Sequence, residues 1–268
     1  MQSWVGVSRS RSRNRNFGPA IALALGTLCL LAASATAVAA DKKDDKPVPA
    51  PTQMVDSGSF GVFMHGQRVA TETFSIQQSG SGSSVVSRFK SDAGADKAEQ
   101  TSEWQMGPGG ELRKYEWKEL IPGQSQAVVV ASQDFLIERF KSGPQAKEQE
   151  QPFMLPATSS LLDDYFFVQR EVLAWKYLAT SCKQENGALQ CPLKQRVPFG
   201  ALNAHARSSV SVTIEFVGKE KVTIRGVEHE LNRLDLNGES GNWALWFDDQ
   251  FKLQRILIAS EYTEVVRD

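Results

Sequence analysis

Residues 159–179 (SSLLDDYFFVQREVLAWKYLA) carry the strongest helix signal in the sequence, and this segment limits what the rest of the chain can form. At 100° per residue its apolar side chains cover both sides, which is typical of a helix that is buried over most of its circumference. Ser160 and Asp163 have the spacing of a capping box, and Asp163 and Asp164 suit the positive end of a helix dipole. The pattern predicts one long buried helix over about residues 159–179.

Most of the remaining chain alternates apolar and polar residues with the period of two that half-buried strands show. The clearest example is residues 208–217, where Val210, Val212 and Ile214 alternate with polar side chains. Roughly a dozen short strands of this kind and one helix predict a mainly β (α+β) fold. We expect residues 57–268 to form a single domain, a strongly curved antiparallel sheet or half-barrel wrapped around the helix.

The register of the late strands is predicted by keeping apolar side chains on one face, because a slip of one residue moves every side chain to the other face. Residues 208–217 are expected to return through a three-residue loop, 218–220, since this loop sets Phe216 against Val222. The short segment 262–266 is expected to form an edge strand.

The first 40 residues have the organisation of a Sec-type signal peptide. Four arginines between positions 9 and 15 form a positive segment, residues 21–31 form an apolar run, and small residues up to Ala40 precede Asp41. Cleavage is therefore expected after Ala40. The alternative, an uncleaved anchor, is disfavoured because the apolar run is short for a membrane span.

The composition after cleavage restricts the partners. Removal of residues 1–40 takes away four arginines and no acid, which leaves 26 basic and 31 acidic residues and a formal net charge of −5. A mildly acidic chain has no electrostatic footprint for nucleic acid, and no transmembrane span is expected in the mature chain. Residues 41–56 are charged and proline-rich and are expected to form a disordered leader. The sequence predicts a periplasmic or secreted protein.

Two cysteines remain after cleavage, Cys182 and Cys191, and their spacing predicts a disulfide. Asn186 and Gly187 between them are a strong signal for a two-residue type I′ turn. Counting outward from that turn places the cysteines opposite each other at a non-hydrogen-bonded position, within the Cα separation that a disulfide tolerates. An oxidising compartment favours the bond. The alternative, a reactive dithiol, is disfavoured because redox pairs usually stand closer in sequence.

The sequence contains no recognisable catalytic or metal-binding motif. His65, His205 and His229 lack the spacing of metal ligands, and there is no Gly-x-Ser-x-Gly elbow. Asp163 and Asp164 point about 100° apart on a helix, so they are interpreted as residues that cap the helix, not as a shared acid site. No catalytic residue, metal or cofactor is predicted.

Aromatic side chains are concentrated on the predicted helix. One interpretation is a packed core. The other is that some of the rings line a cavity or groove between helix and sheet that holds an acyl chain or another apolar ligand. The second interpretation makes the following aromatic residues the candidate ligand-binding set: Tyr165, Phe166, Phe167, Trp175 and Trp246.

Two short segments, residues 58–69 (GSFGVFMHGQRV) and 246–256 (WFDDQFKLQRI), have the patterns of an opening and a closing hairpin. They resemble exported bacterial β-rich domains of unknown function, whose outline is similar to the LolA/LolB-like half-barrel of the bacterial periplasm. The resemblance implies the half-barrel fold for residues 57–268 and a place in the cell envelope. It assigns no functional residue.

These observations predict an exported, non-enzymatic binding protein for an apolar ligand, such as a lipid or acyl chain, or for an envelope protein partner. One alternative is a hydrolase whose site is assembled only in three dimensions, which a histidine and a carboxylate meeting in one cleft would favour. The other is a structural or adaptor protein without ligand that binds its partners through a sheet edge.

Overall fold

The alternating segments form seventeen β-strands in the computed structural model, which describes residues 51–91, 97–185, 188–239 and 241–268. All of these residues belong to one compact unit, 47–268. The predicted signal peptide, the cleavage site after Ala40 and the first ten residues of the predicted leader lie outside the described residues. The first strand begins at Gln53, so residues 53–56 of the predicted leader are strand.

Nine strands precede the helix. They are β1 (Gln53–Met64), β2 (Gln67–Ser79), β3 (Gly82–Ser91), β4 (Glu99–Met106), β5 (Leu112–Ile121), β6 (Gln126–Ser132), β7 (Phe135–Lys141), β8 (Gln149–Phe153) and β9 (Ser160–Leu161). The helix α1 (Val168–Ser181) follows. After it come β10 (Lys183–Glu185), β11 (Ala188–Gln190), β12 (Val197–Asn203), β13 (Ser208–Ile224), β14 (Val227–Gly238), β15 (Gly241–Phe247), β16 (Leu253–Ile258), a 3-10 turn (Ala259–Glu261) and β17 (Thr263–Arg267).

Fifteen of these strands form one large sheet in the order β8-β7-β6-β5-β4-β3-β2-β1-β17-β16-β15-β14-β13-β12-β9. Neighbouring strands are antiparallel except β9, which pairs parallel with β12. Over the described residues, β8 and β9 are the edges, and strand pairing does not close the sheet into a barrel. The prediction of a mainly β fold with a large sheet and one helix is confirmed for this part of the chain.

The strand β17 lies inside the sheet, between β1 and β16, so the expectation of an edge strand at residues 262–266 is wrong. It pairs with residues 60–64 on one side and with residues 255–258 on the other. Val265 and Val266 are both buried although they are adjacent in sequence, which requires contacts on both faces of the sheet. β17 therefore joins the N-terminal and C-terminal halves of the sheet.

The strand β13 continues through the residues that were expected to turn. Gly218 lies within it at a φ of 125°, and the register with β14 shifts there. The turn comes at residues 225–226, both at positive φ, so Phe216 pairs with Leu234. The predicted loop at 218–220 is wrong because a glycine bulge inside a long strand produces the change of face that the sequence pattern attributed to a turn.

The helix α1 begins at Val168, nine residues later than predicted, and ends at Ser181. The predicted capping box is wrong because Ser160 lies in β9, whose extended backbone pairs with β12. That pairing places the backbone of Ser160 and Leu161 in the sheet, where its polar groups find partners, and not in the first turn of a helix. Within the described part of the chain, no helix combines the length and apolar character that crossing a membrane requires.

The N-terminus of α1 is capped by a side chain from the sheet. The N-cap residue, Phe167, has no side-chain cap. The fully buried Glu72 of β2 accepts hydrogen bonds from the backbone N–H of Phe167 at 2.7 Å and of Val168 at 3.3 Å. The Ser87 hydroxyl donates to the same carboxyl at 2.6 Å. A carboxylate in this position complements the helix dipole and accepts from N–H groups that have no partner within a helix.

A second buried carboxyl, Glu171, ties the first turn of α1 to the sheet. It accepts a hydrogen bond from the backbone N–H of Leu253 in β16 at 3.1 Å, and Arg267 of β17 lies 3.8 Å away. Arg267 in turn donates two hydrogen bonds to Asp56 of β1, at 2.7 and 2.9 Å. Burial and the neighbouring Asp56 raise the pKa of Glu171 to about 9, so its carboxyl is protonated at neutral pH.

The main core lies on the face of the sheet that meets α1. Along β4 the buried side chains alternate with less buried ones, and β2, β3 and β5 repeat the pattern. The buried helix residues are Val168, Gln169, Arg170, Glu171, Leu173, Ala174, Tyr177 and Leu178. A second, small cluster of Val222, Leu231 and Trp246 is separate from this core.

The disulfide between Cys182 and Cys191 is confirmed, with an S–S distance of 2.11 Å and a Cα–Cα distance of 4.3 Å. It closes the β10–β11 hairpin, whose strand register is the predicted one. The predicted turn at residues 186–187 lies outside the described residues. Because Cys182 is also the C-cap residue of α1, the hairpin is fixed to the end of the helix.

We expect Glu72→Leu to lower the free energy of unfolding by about 2–4 kcal/mol, because three buried donors lose their acceptor. Glu72→Gln keeps one acceptor oxygen, so its free energy of unfolding should lie between those of the wild type and Glu72→Leu. Urea denaturation followed by circular dichroism measures both. Glu103→Leu replaces an exposed carboxylate on β4 and should change the value by no more than ~0.5 kcal/mol. Equal stabilities of the two Glu72 variants would contradict the capping role.

Candidate functional site

A cavity of about 780 Å3, termed the helix cavity, lies against one face of α1. Helix positions 172, 175, 176, 179 and 180 line it, and this spacing defines a single helix face. Strands β1–β4, β12 and the segments 107–110 and 155–160 provide the remaining walls. Its larger apolar side chains include Val55, Ile76, Trp104, Met106, Leu155 and Phe199.

Lys176 is the one charged side chain among the described residues that line the helix cavity. Its Nζ donates to the backbone carbonyl of Thr158 and lies 3.5 Å from the hydroxyl of Ser160. No described carboxylate forms a salt bridge with it. Burial lowers the pKa of Lys176, because loss of water disfavours the charged form. The cavity therefore contains a partly buried cation without a counter-charge from the described residues.

Two indole N–H groups belong to residues of the cavity wall. Trp175 donates its Nε1 hydrogen to the backbone carbonyl of Phe251 at 2.7 Å. Trp104 Nε1 is buried and has no hydrogen-bond partner among the described residues. A buried donor without an acceptor costs free energy. Because Trp104 Nε1 is itself shielded from solvent, it is not a group that a ligand in the cavity would contact.

A second cavity of about 680 Å3 is lined by residues that precede α1, among them Tyr165 and Phe167. Gln100 of β4 also lines it. Four charged side chains contribute to its wall: Lys97, Glu119, Asp164 and Glu261. Because of these charges, the second cavity is a poorer match for an apolar ligand than the helix cavity.

The five predicted ligand-binding residues do not share one site. Trp175 lines the helix cavity, and Tyr165 and Phe167 line the second cavity. Phe166 is fully buried and lines neither of them. Trp246 lies in the small separate cluster, where its Nε1 donates to Glu220 at 2.6 Å. Of the predicted set, Trp175 alone lines the helix cavity.

His205, in the turn after β12, meets Asp163 before α1. The ring Nδ1 lies 2.5 Å from Asp163 Oδ2, and Nε2 contacts the side-chain oxygen of Gln100. The imidazole stacks on Trp117 with ring centroids 3.8 Å apart. Tyr115 donates its hydroxyl hydrogen to the same Asp163 oxygen at 3.3 Å, and burial with this acid raises the pKa of Tyr115 well above its usual value.

This cluster brings together a histidine and a carboxylate, as a hydrolase requires, but the second ring nitrogen of the histidine does not face a nucleophile. In acyl transfer the second ring nitrogen must face a nucleophilic hydroxyl or thiol. In the described residues that nitrogen faces Gln100, and no hydroxyl or thiol is hydrogen-bonded to His205. Asp163 also accepts from the backbone N–H of Tyr165 at 3.2 Å, so the cluster holds the segment that leads into α1.

Glu138 of β7 is a buried carboxyl whose two oxygens have no hydrogen-bond partner among the described residues. Burial raises the pKa of Glu138 to about 8, and the positive charge of Arg207 opposes this rise only in part. Asp163 adds a repulsion that raises the pKa further. Glu138 is therefore largely protonated at neutral pH.

The buried carboxyls Glu72 and Glu138 were not predicted from the sequence, although their positions on alternating strands indicate burial. Glu72 lies between Ala70 and Phe74 on β2, and Glu138 between Leu136 and Phe140 on β7, in the inward register of each strand. A carboxyl at an inward position of an alternating strand indicates a buried polar contact. The partner of Glu72, a helix terminus 95 residues away in sequence, has no such signal.

No group of three or more His, Cys, Asp or Glu side chains within the described residues is arranged to hold a metal ion. Comparison of the chain with protein-family models, with curated proteins and with solved structures finds no match.

We expect the free energy of unfolding of the wild type to fall as the pH rises from about 4.5 through 8. The folded-state pKa of Glu138 (about 8) lies above its ordinary value of 4.5, so its stabilising contribution is complete below pH 4.5 and is lost as the pH passes 8. The amide of Glu138→Gln cannot ionise. The free energy of unfolding of this variant should therefore exceed that of the wild type by about 1–3 kcal/mol at pH 9 but not at pH 4.5.

Urea denaturation at pH 4.5, 7 and 9 measures this difference. Glu230→Gln, which removes an exposed carboxylate on β14, is the matched control and should leave the pH dependence of the wild type unchanged. A Glu138→Gln variant with the same pH dependence as the wild type would show that Glu138 does not titrate in this way.

Proposed function

We propose that this protein is an exported, non-enzymatic binding protein that holds an apolar ligand in the helix cavity. The observation that carries the proposal is the cavity itself: about 780 Å3, with walls made largely of apolar side chains from α1 and the sheet. Small-molecule sites in proteins have volumes of about 300–1,000 Å3 and mostly apolar linings with a few polar groups. A lipid or an acyl chain is the class of ligand that matches such a wall.

A sheet curved around α1, as in the LolA/LolB-like half-barrels, is part of the proposal. Two sets of contacts support it. The helix cavity is lined both by β1–β4 and by β12, which lie far apart in the strand order. Arg207, in the turn after β12, donates to Gln149 of the edge strand β8 at 3.2 Å, although β8 and β12 stand near opposite ends of that order.

Export to the periplasm or the medium completes the proposal. The organisation of residues 1–40 supports it, and so does a disulfide in the hairpin after α1, because such bonds persist in oxidising compartments. The hydrolase alternative needs a nucleophile at His205, where the described residues place Gln100.

Filling the cavity should remove ligand binding. Ala179 is an exposed helix residue that lines the helix cavity, so Ala179→Trp introduces bulk there without disturbing the core. We expect the neutral dye Nile red to bind the wild type, with a blue-shifted emission, and to bind Ala179→Trp at least ~10-fold more weakly, a loss of about 1.4 kcal/mol. Fluorescence titration gives both constants.

Val86→Trp is the control for Ala179→Trp, since Val86 is an exposed residue of β3 that lines neither of the two larger cavities. Its affinity for Nile red should equal that of the wild type. The apolar-ligand proposal is abandoned if the wild type binds no dye and native mass spectrometry of the gently purified protein shows no lipid.

Export predicts a mature N-terminus at Asp41. We expect Ala40→Arg to block cleavage and leave residues 1–40 attached, because the position before the cleaved bond requires a small residue. Ala39→Arg, at a position where size matters less, should be processed like the wild type. Intact-mass measurement of protein recovered from a bacterial periplasm distinguishes these cases. A wild-type chain that stays in the cytoplasm with residues 1–40 intact argues against export.

A further inference from the structure

We propose that the ligand of the helix cavity is a long-chain monocarboxylate, a fatty acid, whose carboxylate is bound by Lys176 and whose chain lies along the apolar wall. This inference rests on the proposed function and names the chemical class of its ligand. Three observations carry it: the charge of the cavity lining, its hydrogen-bonding groups and its size.

The charge of the lining selects an anion. Lys176 is its one charged side chain among the described residues, and its ammonium contacts only neutral oxygens, those of Thr158 and Ser160. A charged group removed from water is stabilised when an opposite charge comes within hydrogen-bond distance. A ligand with one negative charge supplies this partner, whereas a dianion or a cation would leave an unbalanced charge in the cavity.

The hydrogen-bonding groups of the lining select an acceptor. An ammonium has three N–H donors, and two of those of Lys176 are directed to Thr158 and Ser160, which leaves one for a ligand. A carboxylate accepts hydrogen bonds and donates none, so its chemistry matches this remaining N–H donor of Lys176.

The size and polarity of the remaining wall select a long apolar chain. Val172 and Trp175 of α1, Ile76 of β2 and Met106 of β4 contribute apolar surface to a volume of about 780 Å3. Burial of an alkyl chain is favourable by about 0.8 kcal/mol for each CH2 group, so a chain of many CH2 groups gains most from this wall. A small carboxylate such as acetate would use Lys176 and leave the wall empty.

The test compares palmitic acid with hexadecan-1-ol, which has the same chain length and no charge. Isothermal titration calorimetry at pH 7.5 measures the affinity of each probe for the wild type, for Lys176→Met and for Lys183→Met. Lys183 is an exposed residue of β10 that does not line the helix cavity, so its variant controls for the change in net charge.

We expect the wild type and Lys183→Met to bind palmitic acid about 10- to 100-fold more tightly than the alcohol, the range for a charge-assisted hydrogen bond. In Lys176→Met this preference should vanish through weaker binding of the acid, while the affinity for the alcohol stays within about threefold. Equal binding of both probes by the wild type, or a preference that persists in Lys176→Met, overturns the role of Lys176 and leaves the apolar cavity in place.

Failure of the proposed function gives a different result, since neither probe would then bind the wild type. Circular dichroism checks that each variant is folded. If Lys176→Met does not fold, Lys176→Arg and Lys176→Gln replace it. The preference for the acid must then persist in the arginine variant and be lost in the glutamine variant, and any other pattern overturns the proposal.

Discussion

The contact between the Glu72 carboxyl and the first N–H groups of α1 is the interaction on which the placement of the helix depends. It joins a strand near the beginning of the domain to a helix that starts at Val168 and whose own N-cap residue, Phe167, provides no side-chain cap. Glu171, in the first turn of the same helix, joins it to β16 and β17. Carboxyls thus hold the helix at two points, the Glu72 carboxyl from the sheet and the Glu171 carboxyl from the helix itself. One face of the helix so held lines the helix cavity together with β1–β4.

Both contacts are made by groups that are costly to bury in charged form. Burial raises the pKa of Glu72 to about 7, and the hydrogen bonds from Ser87, Phe167 and Val168 limit the rise. Glu138 and Glu171 titrate higher still, with pKa values of about 8 and 9. Among the described residues, these three buried carboxyls ionise between neutral and mildly alkaline pH. The stability of the fold declines over that range because the unfolded chain releases these protons more readily.

The sequence was a good guide where structure is local and a poor one where it depends on distant pairing. The disulfide hairpin followed from Asn186 and Gly187, since a tight turn determines the register of the strands around it. The start of α1 could not be predicted from the local sequence, because Ser160 is held in a strand by a partner some 40 residues later in the chain. Lys176 is part of the predicted helix, so its presence there could be read from the sequence. The cavity beside it, and the absence of a described carboxylate near it, depend on packing between separate strands, which no local sequence pattern encodes.

The position of β17 has a consequence for how the sheet is completed during folding. Residues 53–64 and 253–258 are neighbours in the sheet only through residues 263–267, which form the ladder on both sides. A chain that is synthesised from its N-terminus presents β1 about 200 residues before β17. Until then β1 presents an unpaired edge, which is prone to pair with other chains. The two halves of the sheet therefore cannot join at this seam before residues 263–267 are present, because these residues pair with both β1 and β16.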